Sequence, residues 1–264
     1  MRQSAKGYNR VVVKIGASLL FAQDAGQDCF IYPMRELASQ IAHLRREGRE
    51  IAVVSSGAIA AGMRILKMKT RPRELASLQA TAAVGQHLLM SQYQRFFKKR
   101  SLDCAQVLLT RDDFNIRKRY LNVKATLWQL FRSNIIPVIN ENDTVATEEI
   151  KFGDNDCLSA YTAELISADL LIILTDVDGL FDKEGKVIRI VPKITPAVRA
   201  LACPTDKPSC VGGMVTKIDA ARISTDAGIP CLIANGKKKN IIISSLRNPQ
   251  LYGTFFPRRG ARCR

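Results

Sequence analysis

The residues that could do chemistry sit in short polar segments, each placed after an apolar run of strand length. The first is Lys14-Ile15-Gly16-Ala17-Ser18. A lysine beside a glycine can meet phosphate oxygens while the nearby N–H groups form an anion cradle. Alone, the segment reads more simply as a lysine at a strand edge before a turn. Ser55-Ser56-Gly57-Ala58-Ile59-Ala60-Ala61-Gly62 keeps its side chains small. That lets a backbone approach a ligand and a helix N-terminus favour an anion, although tight helix–sheet packing explains the same residues. Asn140-Glu141-Asn142-Asp143 and Phe152-Gly153-Asp154-Asn155-Asp156 crowd carboxylates and carboxamides into two nearby segments. Such groups suit a zwitterion, whose amine needs anionic acceptors, and they can hold a catalytic lysine in place. Thr175-Asp176-Val177-Asp178-Gly179 puts Thr175 and Asp176 where a nucleotide could be gripped, although Asp-Gly by itself often makes a β-turn. Val211-Gly212-Gly213-Met214-Val215-Thr216-Lys217 sets glycines before a helix, so that N–H groups and the helix dipole can face phosphate, with Lys217 in the first turn. It is not a Walker A loop, because Ile218 follows the lysine.

These segments act together only if strands and helices assemble them. Strands are expected at Arg10 to Ile15, Glu50 to Val54, Ala105 to Leu109, Ile136 to Ile139, Leu170 to Leu174, Pro230 to Ala234 and Asn240 to Ile243. Several are apolar on both faces, as for strands covered by helices on each side. Helical periodicity is clearest at Met34 to Arg46, Glu74 to Phe97, Leu121 to Arg132, Asn155 to Ser167 and Met214 to Ala227. The alternation predicts an α/β/α sandwich around a mostly parallel sheet, with ligands at the carboxyl ends of the strands. Residues 16 to 31 read as a loop, and the chain after Phe256 as an untethered end.

Composition narrows the classes. The 264 residues are 47% hydrophobic, enough for one large α/β domain, with two small domains as the alternative. The formal net charge is +16, with clusters at Lys98-Lys99-Arg100, at Lys237-Lys238-Lys239 and from Arg258 to Arg264. Solvated surface explains each cluster. A solvated acidic loop at 140–156 is a poorer explanation in so basic a chain. No cluster is interleaved with aromatics, which are 6% of the residues, so no nucleic-acid stacking platform is expected. Seven cysteines without a Cys-x-x-Cys pair suit a reduced cytoplasmic protein. His43 and His87 lie in helical patterns and read as surface or packing residues. No apolar run reaches transmembrane length, and Val11-Val12-Val13 begins too early to leave room for a signal peptide.

Taken in order, these segments resemble those of the glutamate 5-kinases, in the amino acid kinase family. The resemblance runs from about Val11 to Phe256. It implies a sheet of about eight strands, a kinase domain over residues 1–256 and a basic tail over 257–264, without the C-terminal PUA domain that many bacterial members append. It implies ATP-dependent phosphorylation of the L-glutamate γ-carboxylate to γ-glutamyl phosphate, the first step toward proline. It further implies Mg²⁺ held mainly by ATP rather than by the protein, proline as a feedback inhibitor, and a homo-oligomer. It implies glutamate bound through Ser56, Asp143 and Asn155, and Gly57, Asn140 and Asp154 of the same segments complete the candidate glutamate site. It implies ATP bound by Lys14, Thr175, Asp176 and the 211–217 segment with Gly212, Gly213, Met214, Thr216 and Lys217, and Gly16 and Ser18 beside Lys14 complete the candidate nucleotide site. Lys14 and Lys217 are the candidates for neutralising charge during transfer, with Asp156 holding both. Val211 and Val215 depart from the hydroxyl residues common in the family, and Ala17 lies where many relatives carry a hydroxyl. Two rivals stay open: another amino acid kinase, acting on uridylate or N-acetylglutamate, and an RNA-binding regulator drawing on the basic charge.

Overall fold

The computed structural model describes residues 7–21, 31–146, 155–202 and 213–259. Runs of valine, isoleucine and leucine, apolar on both faces, build the centre of its sheet. The strands are β1 (Arg10–Ile15), β2 (Glu50–Ser55), β3 (Asp103–Leu109), β4 (Ile135–Glu141), β5 (Leu170–Thr175), β6 (Cys231–Asn235) and β7 (Gly253–Phe256). Their spatial order is β3-β4-β2-β1-β5-β6-β7. All neighbours run parallel except β6 and β7. Successive residues of β1 point to opposite faces, and both faces are covered. Val11 and Val13 pack with α2 (Ile31–Arg46), α4 (Leu75–Lys98) and α10 (Ile241–Arg247), through Met34, Ile41, Tyr93, Phe97 and Ile242. Val12 packs with α6 (Arg117–Arg132), α7 (Asn155–Leu165) and α9 (Met214–Asp226), through Leu127, Phe131, Ala163 and Ala220. The result is the three-layer α/β/α sandwich expected from the sequence.

The chain leaves β1 toward β2 on one side and leaves β5 toward β6 on the other. The crevice between the carboxyl ends of β1 and β5 is therefore a topological switch point, where open α/β sheets bind ligands. Beside it, α3 (Ala58–Ile65) crosses α4 at two glycines. A Cβ on Gly62 would lie 1.8 Å from the Thr81 carbonyl oxygen, and one on Gly85 1.9 Å from that of Ala58. Gly62 thus serves helix–helix contact.

Several expectations are corrected. The sheet has seven strands among the described residues, not about eight. Asn240 to Ile243 is not a strand. Its β-branched run favours one locally, but residues 241–247 form α10. Asn240 turns the chain with φ 55°, and the Gln40 side-chain oxygen accepts from the Ile242 N–H at 2.8 Å, satisfying an amide that the first helical turn leaves unpaired. The sheet edge beside β6 goes instead to β7, pairing antiparallel from Cys231↔Phe256 to Ala234↔Gly253. The 16–31 loop contains α1 (Ala17–Leu20), and its remainder from residue 22 to 30 lies outside the described residues. Residue Arg259 is not untethered: its guanidinium pairs with Asp226 at 2.8 Å. No helix among the described residues is long and apolar enough to cross a membrane.

Gly85→Ala forces α3 off α4, because the colliding atoms are backbone. The expected cost is about 1–3 kcal/mol, read as a lower urea midpoint at constant slope. An unchanged midpoint would show that the helices separate freely.

Candidate active site

The carboxyl end of β1 and the N-termini of α7 and α9 meet around one carboxylate. Asp156, in the first turn of α7, is 3% exposed. Its Oδ1 lies 2.5 Å from Lys14 Nζ, and its Oδ2 lies 3.1 Å from Lys217 Nζ. The Thr216 hydroxyl donates to Oδ2 at 2.8 Å and also lies 3.0 Å from the Gly213 carbonyl oxygen. Burial by itself pushes the Asp156 carboxyl up, but the Lys14 and Lys217 charges and the hydrogen bonds outweigh it, and the group sits below the ordinary carboxylate range. An acid suits a helix N-terminus, whereas a lysine in the first turn of α9 opposes the dipole. Asp156 and the Gly213 carbonyl, which accepts from Lys217 Nζ at 3.1 Å, hold Lys217 there. Two ammonium groups against one carboxylate leave the cluster one positive charge in excess.

Around this cluster lie the segments assigned to a nucleotide. Gly16 precedes α1, and a Cβ on it would sit 3.9 Å from Lys14 Nζ and 3.8 Å from Ser18 Oγ. Thr175 ends β5 buried, its hydroxyl 3.2 Å from the Asp176 carboxylate, and Asp176 itself is exposed. Gly213 precedes α9 at φ 84°, ψ −135°, a backbone region essentially restricted to glycine. Met214 packs its side chain against the sheet core, which leaves its N–H as the group it can offer a ligand. The Thr216 hydroxyl is engaged by Asp156. Gly212 and Val211 lie outside the described residues.

A second group of residues forms a cleft beyond β2 and β4. Ser56, Gly57, Asn140, Asp143 and Asn155 line it together with Arg71. Gly57 takes φ 112° and a Cβ there would meet the Phe21 ring at 2.8 Å, so the turn into α3 needs glycine twice over. Asn155 organises the floor. The two hydrogens of its Nδ2 serve the Ser55 carbonyl (2.9 Å) and Asn140 Oδ1 (2.8 Å), with Ser56 Oγ 3.1 Å away. The backbone acceptor fixes which end of the amide is nitrogen. Asn155 Oδ1 is left buried with no hydrogen-bond partner among the described residues. Asn140 in turn donates to Gln86 Oε1 at 2.7 Å. Half-buried Asp143 has its carboxyl pushed up to about 6 by burial, with Arg71 acting in the opposite direction. Asp154 lies outside the described residues.

The sequence reading missed Gln86 and Arg71. Gln86 sits mid-helix in α4 and carries no local signal. Arg71 is one of five cations between residues 64 and 73, a run that reads as solvated surface.

The chain was compared with known proteins. The amino acid kinase family profile matches residues 9–235. A glutamate 5-kinase of Caldanaerobacter subterraneus subsp. tengcongensis is 46% identical over 254 residues, covering 94% of this chain and 68% of the relative. One of Thermus thermophilus is 47% identical over 251 residues, covering 94% and 67%. Among solved structures, the N-acetylglutamate synthase of Neisseria gonorrhoeae, complexed with coenzyme A and N-acetyl-glutamate, superposes with a TM-score of 0.70 at 14% identity. It covers 96% of this chain, which spans 60% of that one, and the likeness speaks for the fold alone.

Asp156→Asn keeps the volume of the side chain and removes the charge between buried Lys14 and part-buried Lys217. A loss of about 3–5 kcal/mol is expected in chemical denaturation. Because the folded carboxyl titrates below its ordinary 3.8, the gap from the unaltered chain should be full above about pH 4 and close as the solution is acidified further. A gap that instead widened in acid would contradict the pairing.

Proposed function

The chain belongs to the amino acid kinase family, within its glutamate 5-kinases, and from that premise we propose that it transfers the γ-phosphoryl group of MgATP to the γ-carboxylate of L-glutamate. The products are γ-glutamyl phosphate and ADP, the opening step of proline biosynthesis. The observation that carries this reading is Asp156 with a lysine on each of its oxygens, at the switch point of the sheet.

The nucleophile is the substrate's own carboxylate, ionised at neutral pH with a reference pKa near 4.3. One of its oxygens bonds to the γ-phosphorus as the bond to the β–γ bridging oxygen breaks, and no proton moves. The protein needs no general base. It must bring two anions together and stabilise charge that shifts toward the leaving ADP. Lys14 and Lys217 supply that stabilisation, and Asp156 keeps both aimed without cancelling them. Mg²⁺ would enter with the nucleotide as part of the MgATP substrate and would add to the charge neutralisation that Lys14 and Lys217 supply.

Gly16, Ser18, Gly212, Gly213 and Met214 serve the phosphates mainly through backbone N–H groups, and Thr175 and Asp176 serve the nucleoside side. Thr216 acts through Asp156, as a positioning residue. In the cleft, Ser56, Gly57, Asn140, Asp143 and Asn155 receive the amino acid, and the family resemblance adds Asp154, which lies outside the described residues. The unpartnered Asn155 Oδ1 and the Asp143 carboxylate are acceptors suited to an ammonium group. An N-acetylated amine carries no charge and would give Asp143 nothing to pair with, which favours the free amino acid. The family resemblance supports extending the reading to inhibition by proline, to a homo-oligomer, and to a kinase domain over residues 1–256 followed by a basic tail.

With MgATP, glutamate and hydroxylamine, the chain should release ADP and trap γ-glutamyl hydroxamate. Absence of both in a folded sample would remove the assignment. Lys14→Ala and Lys217→Ala should each lower kcat by on the order of a hundredfold or more, and near-normal turnover by folded Lys217→Ala would exclude its role. Asp143 must be ionised to receive the ammonium. The kcat/KM for glutamate should therefore fall about tenfold per pH unit below about 6, with KM for ATP unaffected. Asp143→Asn should raise KM for glutamate and abolish that acid limb. A limb that survives the substitution belongs to another group.

A further inference from the structure

Glutamate brings three charges to its site, and the roles above answer two of them, the γ-carboxylate and the ammonium. Resting on the kinase reading, we propose that Arg71 pairs with the α-carboxylate and makes the cleft selective for an intact amino acid. Among the described residues lining that cleft, Arg71 is the one cation, and it shares the cleft with Asp143 and Asn155. The stretch around it is rich in positive charge, but Arg64, Lys67, Lys69 and Arg73 do not line the cleft.

Arg71 is exposed and has no ion pair or hydrogen bond among the described residues. Its fork of N–H donors is free for a ligand, and that planar fork matches a carboxylate through two parallel bonds. Pro72 follows it, which disfavours a helical backbone at Arg71. Arg71 lies near enough to Asp143 for its charge to act on that carboxyl. A cation and an anion lining one cleft complement an α-amino acid, whose ammonium and carboxylate sit on one carbon. An arginine kept only to balance Asp143 would stabilise the empty cleft and would not distinguish one ligand from another.

The discriminating probe is the α-carboxamide of glutamate, which keeps the amine and the γ-carboxylate and loses only the α charge. It is used as alternative substrate or as competitive inhibitor against glutamate, with the hydroxamate assay on the full chain. Arg71→Met should raise KM for glutamate about tenfold to a hundredfold, leave KM for ATP within about twofold, and leave the affinity for the α-carboxamide unchanged. The preference of the unaltered chain for glutamate over its α-carboxamide should then collapse. Arg71→Lys, keeping the charge without the fork, should fall between the two. If Arg71→Met leaves KM for glutamate unchanged, or weakens glutamate and the α-carboxamide equally, Arg71 does not read the α-carboxylate. Failure of the unaltered chain to phosphorylate glutamate is a different result, and it overturns the kinase reading on which this pairing rests.

Discussion

The rest of the site depends on the pairing of Asp156 with Lys14 and Lys217. Burying one carboxylate costs several kcal/mol unless cations and hydrogen bonds meet it, and burying two ammonium groups beside each other is worse without it. Each charge is tolerable only because the others are present. The pairing also joins distant parts of the chain: the end of β1, the start of α7 and the start of α9 converge on two oxygen atoms. In the proposed reaction, the excess positive charge that remains serves the approach of a polyphosphate and a carboxylate to each other.

Backbone geometry makes that convergence possible. A parallel sheet sends every carboxyl end to one edge, and β1 is paired on both sides there, from Ile15↔Ser55 to Ile15↔Leu174. The helices that follow begin at the same edge, so their N-termini and their side chains share one surface. Close approach of α3 and α4 at Gly62 and Gly85 brings Gln86 within reach of Asn140, and through it steadies Asn155. Packing in the small-residue segment and polar order in the cleft are therefore one arrangement, and the choice between packing and ligand approach divides by residue. Gly62 packs, while Gly57 supplies the open turn.

Charge in the cleft runs against the charge of the whole chain. A protein of net +16 lines one cleft with Glu141, Asp143 and two carboxamides, and sets a single arginine beside them. That local inversion suits a zwitterion better than a simple anion. Burial, not neighbouring acid, raises the Asp143 carboxyl, since the surrounding wall removes water faster than Arg71 restores favourable charge.

Much of this was legible in the residues alone. Both-face apolar runs dictate buried parallel strands, and the polar segments that follow them must lie at one sheet edge, whatever their order in space. Six of the strands follow from that pattern. The Ile241 run misleads because side-chain branching is a local preference, whereas its fate was decided by Gln40, 202 residues away, and by β7 taking the edge of β6. Sequence spacing could nominate Lys14, Asp156 and Lys217 but holds no distance between them. Only the folded sheet brings Lys217 to Asp156 across 61 residues, and Asn155 to Ser55 across 100. Arg71 and Gln86 show the same limit. A charge in a basic run and an amide in a helix have no local signature, because what distinguishes them is the wall they face, and that wall is made by residues far away in the chain.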